Sequence, residues 1–226
     1  MSKENWNMRN HLRTISKAFI ALAAALTPVA AGAQSDPEAL ADLTWIQMLN
    51  STDTGKAGDL VRKFQEKEAR NVLLRGVYGK SDNACTVENL RNKEVLLITI
   101  PASLLFAPNS TELREDSHKY LEPVKRYLKQ PDMWRVMLVM HTDNTGSPVY
   151  RQQITESRVL AVTDWFEEQP GLNTDYLFPY ALSDSRPLAD TPNISMDNRS
   201  KNRRLEIYLV PGEKMVEMAK KGRIAF

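Results

Sequence analysis

The sequence predicts an α/β fold, specifically an α+β two-layer sandwich in which a sheet carries helices packed against it. Three observations support this. Short apolar or β-branched runs such as Glu94–Ile100 and Trp134–Met140 have the length and composition of strands. Amphipathic segments with helical spacing lie between them, so strand and helix alternate along residues 86–212. The chain also lacks any internal repeat or low-complexity tract that would favour a solenoid or a linker.

The elements follow in order. Asp36-Pro37 supplies an N-cap and a first helical residue, and Leu40, Leu43, Ile46 and Met48-Leu49 continue as an apolar stripe. Residues 51–58 are rich in Ser, Thr, Asp and Gly and read as a loop, after which Leu60, Val61, Phe64 and Val72 mark a second helix from Asp59 to about Leu74. Residues 34–85 thus form a small helical N-terminal region, and the core domain spans 86–212. Within it, Glu94–Ile100 is a strand closed by Pro101. A loop over 106–111 then leads to a helix lined by Leu113, Leu121, Val124 and Leu128, which Pro123 should kink or break. Trp134–Met140 is apolar at nearly every residue, as a central or doubly covered strand is. A long helix runs from Pro148 to about Gln169, and 175–183 reads as a third strand. A loop over 185–193 precedes a short helix at 195–202. Arg204–Val210 alternates polar and apolar residues like a half-exposed strand, and a terminal helix begins the 213–226 tail.

Charge and targeting signals narrow the setting. Of 30 basic and 28 acidic residues, four basic and one acidic fall in the first 33, which leaves the remainder at a net −1. So balanced a domain has no bulk electrostatic attraction for nucleic acid. Residues 1–33 read as a signal peptide: basic residues up to Lys17, an apolar run from Ala18 to Ala31, and the small-x-small site Ala31-Gly32-Ala33. Retention of this segment as an inner-membrane anchor is the competing reading. The single cysteine, Cys85, has no partner for an internal disulfide and reads as a small apolar residue.

The stretch that carries chemistry is His141–Arg158, HTDNTGSPVYRQQITESR. Ile154, Arg158, Val162 and Phe166 recur every fourth residue, which sets a guanidinium in the middle of an apolar helix face. Leaving such a charge unpaired costs several kcal/mol, so it needs an anion. Asp143 in the preceding loop is one candidate and a ligand carboxylate is the other. His141 beside Asp143 also invites a metal or general-base reading. The only other histidines are His11 and His118, and no third ligand at metal spacing accompanies the pair. With Gly at only 9 of 226 positions, no Gly-rich phosphate loop is present either.

Three separated motifs then fall in order: Phe106-Ala-Pro-Asn-Ser-Thr-Glu-Leu113, His141-Thr-Asp-Asn-Thr-Gly146 and Asn202-Arg-Arg-Leu-Glu-Ile207. In this order and spacing the chain resembles the OmpA-like peptidoglycan-binding domain, also found at the C-terminus of MotB-type proteins, over roughly Leu96–Pro211. The family pattern Asn-x-x-Leu-Ser-x-x-Arg-Ala maps onto Arg151, Ile154, Thr155, Arg158 and Val159, with Arg151 and Val159 the clear departures. Ala181-Leu-Ser-Asp-Ser-Arg-Pro187 stands where the family has Gly-Tyr-Gly-Glu-Ser-x-Pro.

The resemblance implies a βαβαβ-type domain that binds wall peptide without catalysis and needs no cofactor. It implies that Asp143 and Arg158 clamp the ammonium and carboxylate of diaminopimelate in the peptide stem. Thr142, Asn144, Thr145, Gly146, Arg151 and Thr155 would line the site, with Asn202 and Arg203 at its rim. The location implied is the periplasm, next to outer membrane and wall. The helices within 36–74 would offer a surface to an outer-membrane protein or envelope complex. Two competing functions remain: an envelope hydrolase using His141 and Asp143, and a stator-like wall binder held by an inner-membrane anchor.

Overall fold

The computed structural model describes residues 36–74, 77–78 and 85–224. The expected signal peptide over 1–33 lies outside them. Two short helices come first, α1 (Pro37–Ala41) and α2 (Trp45–Leu49). Asp36 caps α1 by accepting from the Glu38 backbone N–H at 3.0 Å, with Pro37 in the first turn where its missing N–H costs nothing. Thr44 and Gln47 form a capping box on α2. A single 3₁₀ turn leads into α3 (Gly58–Leu74).

The sheet has five strands: β1 (Thr86–Leu90), β2 (Val95–Pro101), β3 (Trp134–His141), β4 (Leu177–Ala181) and β5 (Arg204–Pro211), in the spatial order β1-β2-β5-β3-β4. β3 and β4 pair in parallel, and the other pairs are antiparallel. The connecting helices are α4 (Ala102–Leu105), α5 (His118–Leu121), α6 (Pro148–Glu167), α7 (Met196–Asn202) and the terminal α8 (Glu213–Lys220).

One face of the sheet, carrying Leu96, Ile98, Val136, Leu138, Ile207 and Leu209, packs against Val61 and Val72 of α3, Val159, Val162 and Phe166 of α6, and Met215 and Val216 of α8. Gln65 of α3 is fully buried and donates from Nε2 to the carbonyls of Glu94 and Leu209, 3.0 Å each, which ties that helix to two strands. The opposite face carries Val95, Leu97, Met137, Val139, Phe178, Tyr180, Tyr208 and Val210, and is covered by Leu40 of α1 and Met48 of α2. The N-terminal helices therefore extend the expected two-layer sandwich with a partial third layer. This is why β3 is buried along its whole length, as its nearly continuous apolar run predicts.

Two local expectations are corrected and one strand is added. β5 is not half-exposed: all eight residues are buried, and its polar positions Arg204, Glu206 and Tyr208 lie on the face beneath the N-terminal helices. Their alternation with apolar residues is real, but the second face is protein rather than water. The helix expected after Leu113, with a kink or break at Pro123, is broken there and once more before it. A 3₁₀ turn at Glu115–Ser117, then α5, then a 3₁₀ stretch at Glu122–Leu128 replace it, with Pro123 in the first turn of the last piece. Strand β1 was not legible in a polar stretch, because an edge strand leaves much of its length to solvent. It joins β2 through Arg91, Asn92 and Lys93, all at positive φ.

Candidate ligand-binding site

Three chain ends meet at one end of the sheet. β3 and β5 are paired so that His141 lies opposite Arg204, which brings the loop leaving β3 beside the residue entering β5. The Ala102 N–H, just past β2, donates to the Arg203 carbonyl at 2.9 Å and brings α4 and the following 106–113 loop to the same place. Ser147 caps α6 by accepting from the Tyr150 N–H at 3.2 Å, and Pro148 takes the first helical position. Between strand and helix, Gly146 has φ +86°, and a Cβ there would come within 2.7 Å of the Tyr150 ring. The turn needs glycine for both reasons.

Arg158 lies where the helical spacing puts it, on the buried face of α6 with 5% of its surface exposed. Its Nε donates to the Ser110 carbonyl at 2.9 Å and one terminal nitrogen to the Ala107 carbonyl at 3.4 Å, while the guanidinium carbon stands 4.9 Å from the centre of the Phe106 ring. Among the described residues no carboxylate forms an ion pair with it. Burial pulls its pKa below the ordinary arginine value. Tyr150 opposes that shift and the nearby Arg203 cation reinforces it.

Asp143 is 2% exposed. One oxygen accepts the Thr145 N–H at 2.6 Å, and the other pairs with the Arg203 guanidinium. Burial alone would raise this carboxyl. The hydrogen bonds from Thr145 and the Arg203 cation outweigh it, so the group titrates below the usual carboxylate range. Of the two anions that could answer Arg158, Asp143 is engaged elsewhere. The site holds two guanidinium groups and one carboxylate, with one cation served only by neutral carbonyls.

The remaining expected residues divide by task. Asn144, Thr145 and Gly146 form the exposed rim of the loop, and Thr142 is fixed by donating its N–H to the Ser183 carbonyl at 2.9 Å. Thr155 is buried and its hydroxyl is within 2.9 Å of the carbonyls of both Arg151 and Gln152, so it serves its own helix. Asn202 accepts the Leu188 N–H and donates to Thr191 and Asn193, holding the 188–193 loop. Arg151 is bonded to Asp184 and to loop carbonyls.

Residues 105–203 match the model of the OmpA family. Over 112 residues, 50% of the chain, the sequence is 36% identical to the outer-membrane lipoprotein YfiB of Pseudomonas aeruginosa. Over 110 residues, 49% of the chain, it is 26% identical to outer membrane porin F of the same organism. The chain spans 64% of the length of the lipoprotein and 31% of the porin. Among solved structures, a MotB-like protein of Desulfovibrio vulgaris matches with a TM-score of 0.58 at 21% identity, covering 69% of this chain and 94% of that one. At that identity the likeness is one of fold.

Within the matched stretch, residues that the sequence did not single out one by one complete the cradle. Ala107 and Ser110 contribute main-chain carbonyls, which side-chain chemistry cannot announce. Tyr150 donates its hydroxyl to Asn109 Oδ1 at 3.1 Å, which joins the first turn of α6 to the 106–113 loop beside Arg158. Asn109 has φ +59°, a conformation asparagine tolerates better than most side chains.

His141 does not join Asp143. It is buried on the second face of the sheet, with Nε2 3.0 Å from Glu206, and Glu206 also accepts from Arg204 at 2.8 Å and from Tyr208 at 2.6 Å. With an ionised carboxylate at Nε2, that nitrogen carries the proton, and Nδ1 is buried without a hydrogen-bond partner. Burial lowers the imidazole pKa, with the Glu206 hydrogen bond opposing. Among the described residues, no three His, Cys, Asp or Glu side chains cluster so as to hold a metal ion. Cys85 is buried, and burial pushes its thiol up to about 12.

Proposed function

We propose that this protein binds the peptide stem of peptidoglycan without chemical turnover and so tethers the envelope to the wall, with the diaminopimelate end of the stem as its ligand. The observation that carries the reading is Arg158: a guanidinium 5% exposed, positioned by two backbone carbonyls and an aromatic ring, with no carboxylate among the described residues to answer it. A free amino-acid end brings a carboxylate to Arg158 and an ammonium to Asp143, which already holds a cation. Thr142, Asn144, Thr145 and Gly146 line the loop, Arg203 stands at its edge, and Asn202 supports that edge from the interior. The match of residues 105–203 to the model of the OmpA family supports this, as do relatives named for the outer membrane. The setting that follows is the periplasm, with residues 1–33 as an export signal and the N-terminal helices free to contact an envelope partner. The hydrolase alternative has no observation in its favour, because His141 and Asp143 serve different partners.

The experiment is co-sedimentation of the purified protein with wall sacculi. Wild type pellets with them, while Arg158→Ala and Asp143→Ala stay in the supernatant with unchanged circular dichroism. Undiminished pelleting of both folded variants rejects the clamp.

A further inference from the structure

Arg151 stands where the family pattern has a neutral asparagine, and three contacts show what it does here. Its Nε donates to Asp184 Oδ1 at 2.9 Å, and one terminal nitrogen donates to the Gly146 carbonyl at 2.7 Å and reaches the Asn144 carbonyl at 3.5 Å. Asp184 follows β4, Asn144 and Gly146 follow β3, and Arg151 lies in the first turn of α6. One planar guanidinium therefore joins three chain segments. Its contacts are taken up by loop carbonyls and a carboxylate instead of being held open to a ligand.

We infer that Arg151, with Asp184, is a positioning residue for the ligand loop: it braces residues 143–146 from behind and does not touch the bound stem. This rests on the wall-binding reading of the same site. The physical reason lies in the loop itself. Asp143 is fixed within it by the Thr145 N–H, and Gly146 sits in a left-handed turn that a free chain leaves easily. Drawing the carbonyls on either side of Thr145 toward one cation restricts the loop to a single course. The Thr145 N–H then remains aimed at Asp143, and less ordering is left to be done when ligand binds. A lysine keeps the charge but not the fork, so it cannot hold Asp184 and the Gly146 carbonyl together in the same way.

The test is a double-mutant cycle on the full chain. Affinity for sacculi is measured beside hydrogen exchange of the Asn144 and Thr145 amides in the ligand-free protein. Arg151→Ala and Asp184→Ala each weaken binding by about threefold to tenfold, and the double variant is no weaker than either single one. Arg151→Lys is weakened as well, and amide exchange in the loop quickens equally in both single variants. Additive losses, or a loss with Arg151→Ala and none with Asp184→Ala, overturn the brace and make Arg151 a direct ligand contact. If wild type fails to bind sacculi, the wall-binding reading falls, and the exchange data still decide whether the brace exists.

Discussion

At Arg158, folding and function make opposite demands. Burial removes water from the guanidinium, and neutral carbonyls replace only part of what is lost. Arg158→Met, of similar length and no charge, should therefore leave the thermal midpoint of the ligand-free protein unchanged or raised while abolishing sacculus binding. A midpoint several degrees lower would show that Arg158 is a structural residue. Gly146→Ala should cost about 1–2 kcal/mol for its left-handed backbone, and the clash with Tyr150 adds to this, so binding and melting temperature fall together. The buried arginine was legible in the sequence because three apolar residues at fourfold spacing flank it on one face. The partner of Asp143 was not. Arg203 reaches that carboxylate only because β3 and β5 pair with His141 opposite Arg204, and no local pattern encodes a register between strands 60 residues apart.

At the scale of elements, β5 shows how a correct pattern can carry the wrong environment. Arg204, Glu206 and Tyr208 alternate as solvent-facing residues do, yet with His141 they form a buried polar network. Its parts lie on two strands and its cover lies on helices far earlier in the chain, which alternation alone does not reveal. The network makes a pH prediction. In the unfolded chain His141 titrates near 6.5, and in the folded protein its pKa is lower, so the unfolded state takes up the extra proton first. Stability contributed by neutral His141 is present above about pH 6.5 and is lost as the pH falls toward the folded value. Thermal melts should decline from pH 7.5 to 5.5, and His141→Gln should flatten that slope. An unchanged slope would assign it to other groups. Helix and strand order was readable elsewhere because Pro101, Pro148 and the Pro170-Gly171 pair punctuate it. The 113–128 segment broke into short turns where Pro123 withdraws a backbone donor.

Across the whole molecule, the stretch over 105–203 that matches the OmpA family is part of a larger fold. Leu40 and Met48, some sixty residues before residue 105, are buried against Val95, Met137 and Tyr208. Leu40→Ala and Met48→Ala should each lower stability by about 2–5 kcal/mol in urea unfolding, although neither lies near the site. An effect under about 0.5 kcal/mol would mark the N-terminal helices as a loosely held appendage. Their amphipathic stripes were plain in the sequence, but which surface they cover depends on a sheet face assembled from distant strands. These layers hold the three segments of the site together, with no anion from the described residues paired to Arg158. The direct measurement is calorimetric titration of a soluble wall peptide, with a free diaminopimelate end, into wild type and Arg158→Met. Saturable binding to wild type, weakened at least about tenfold in the variant and when the diaminopimelate carboxylate is amidated, is the expected result. Equal affinity of wild type and variant for the free peptide would contradict a ligand carboxylate at Arg158.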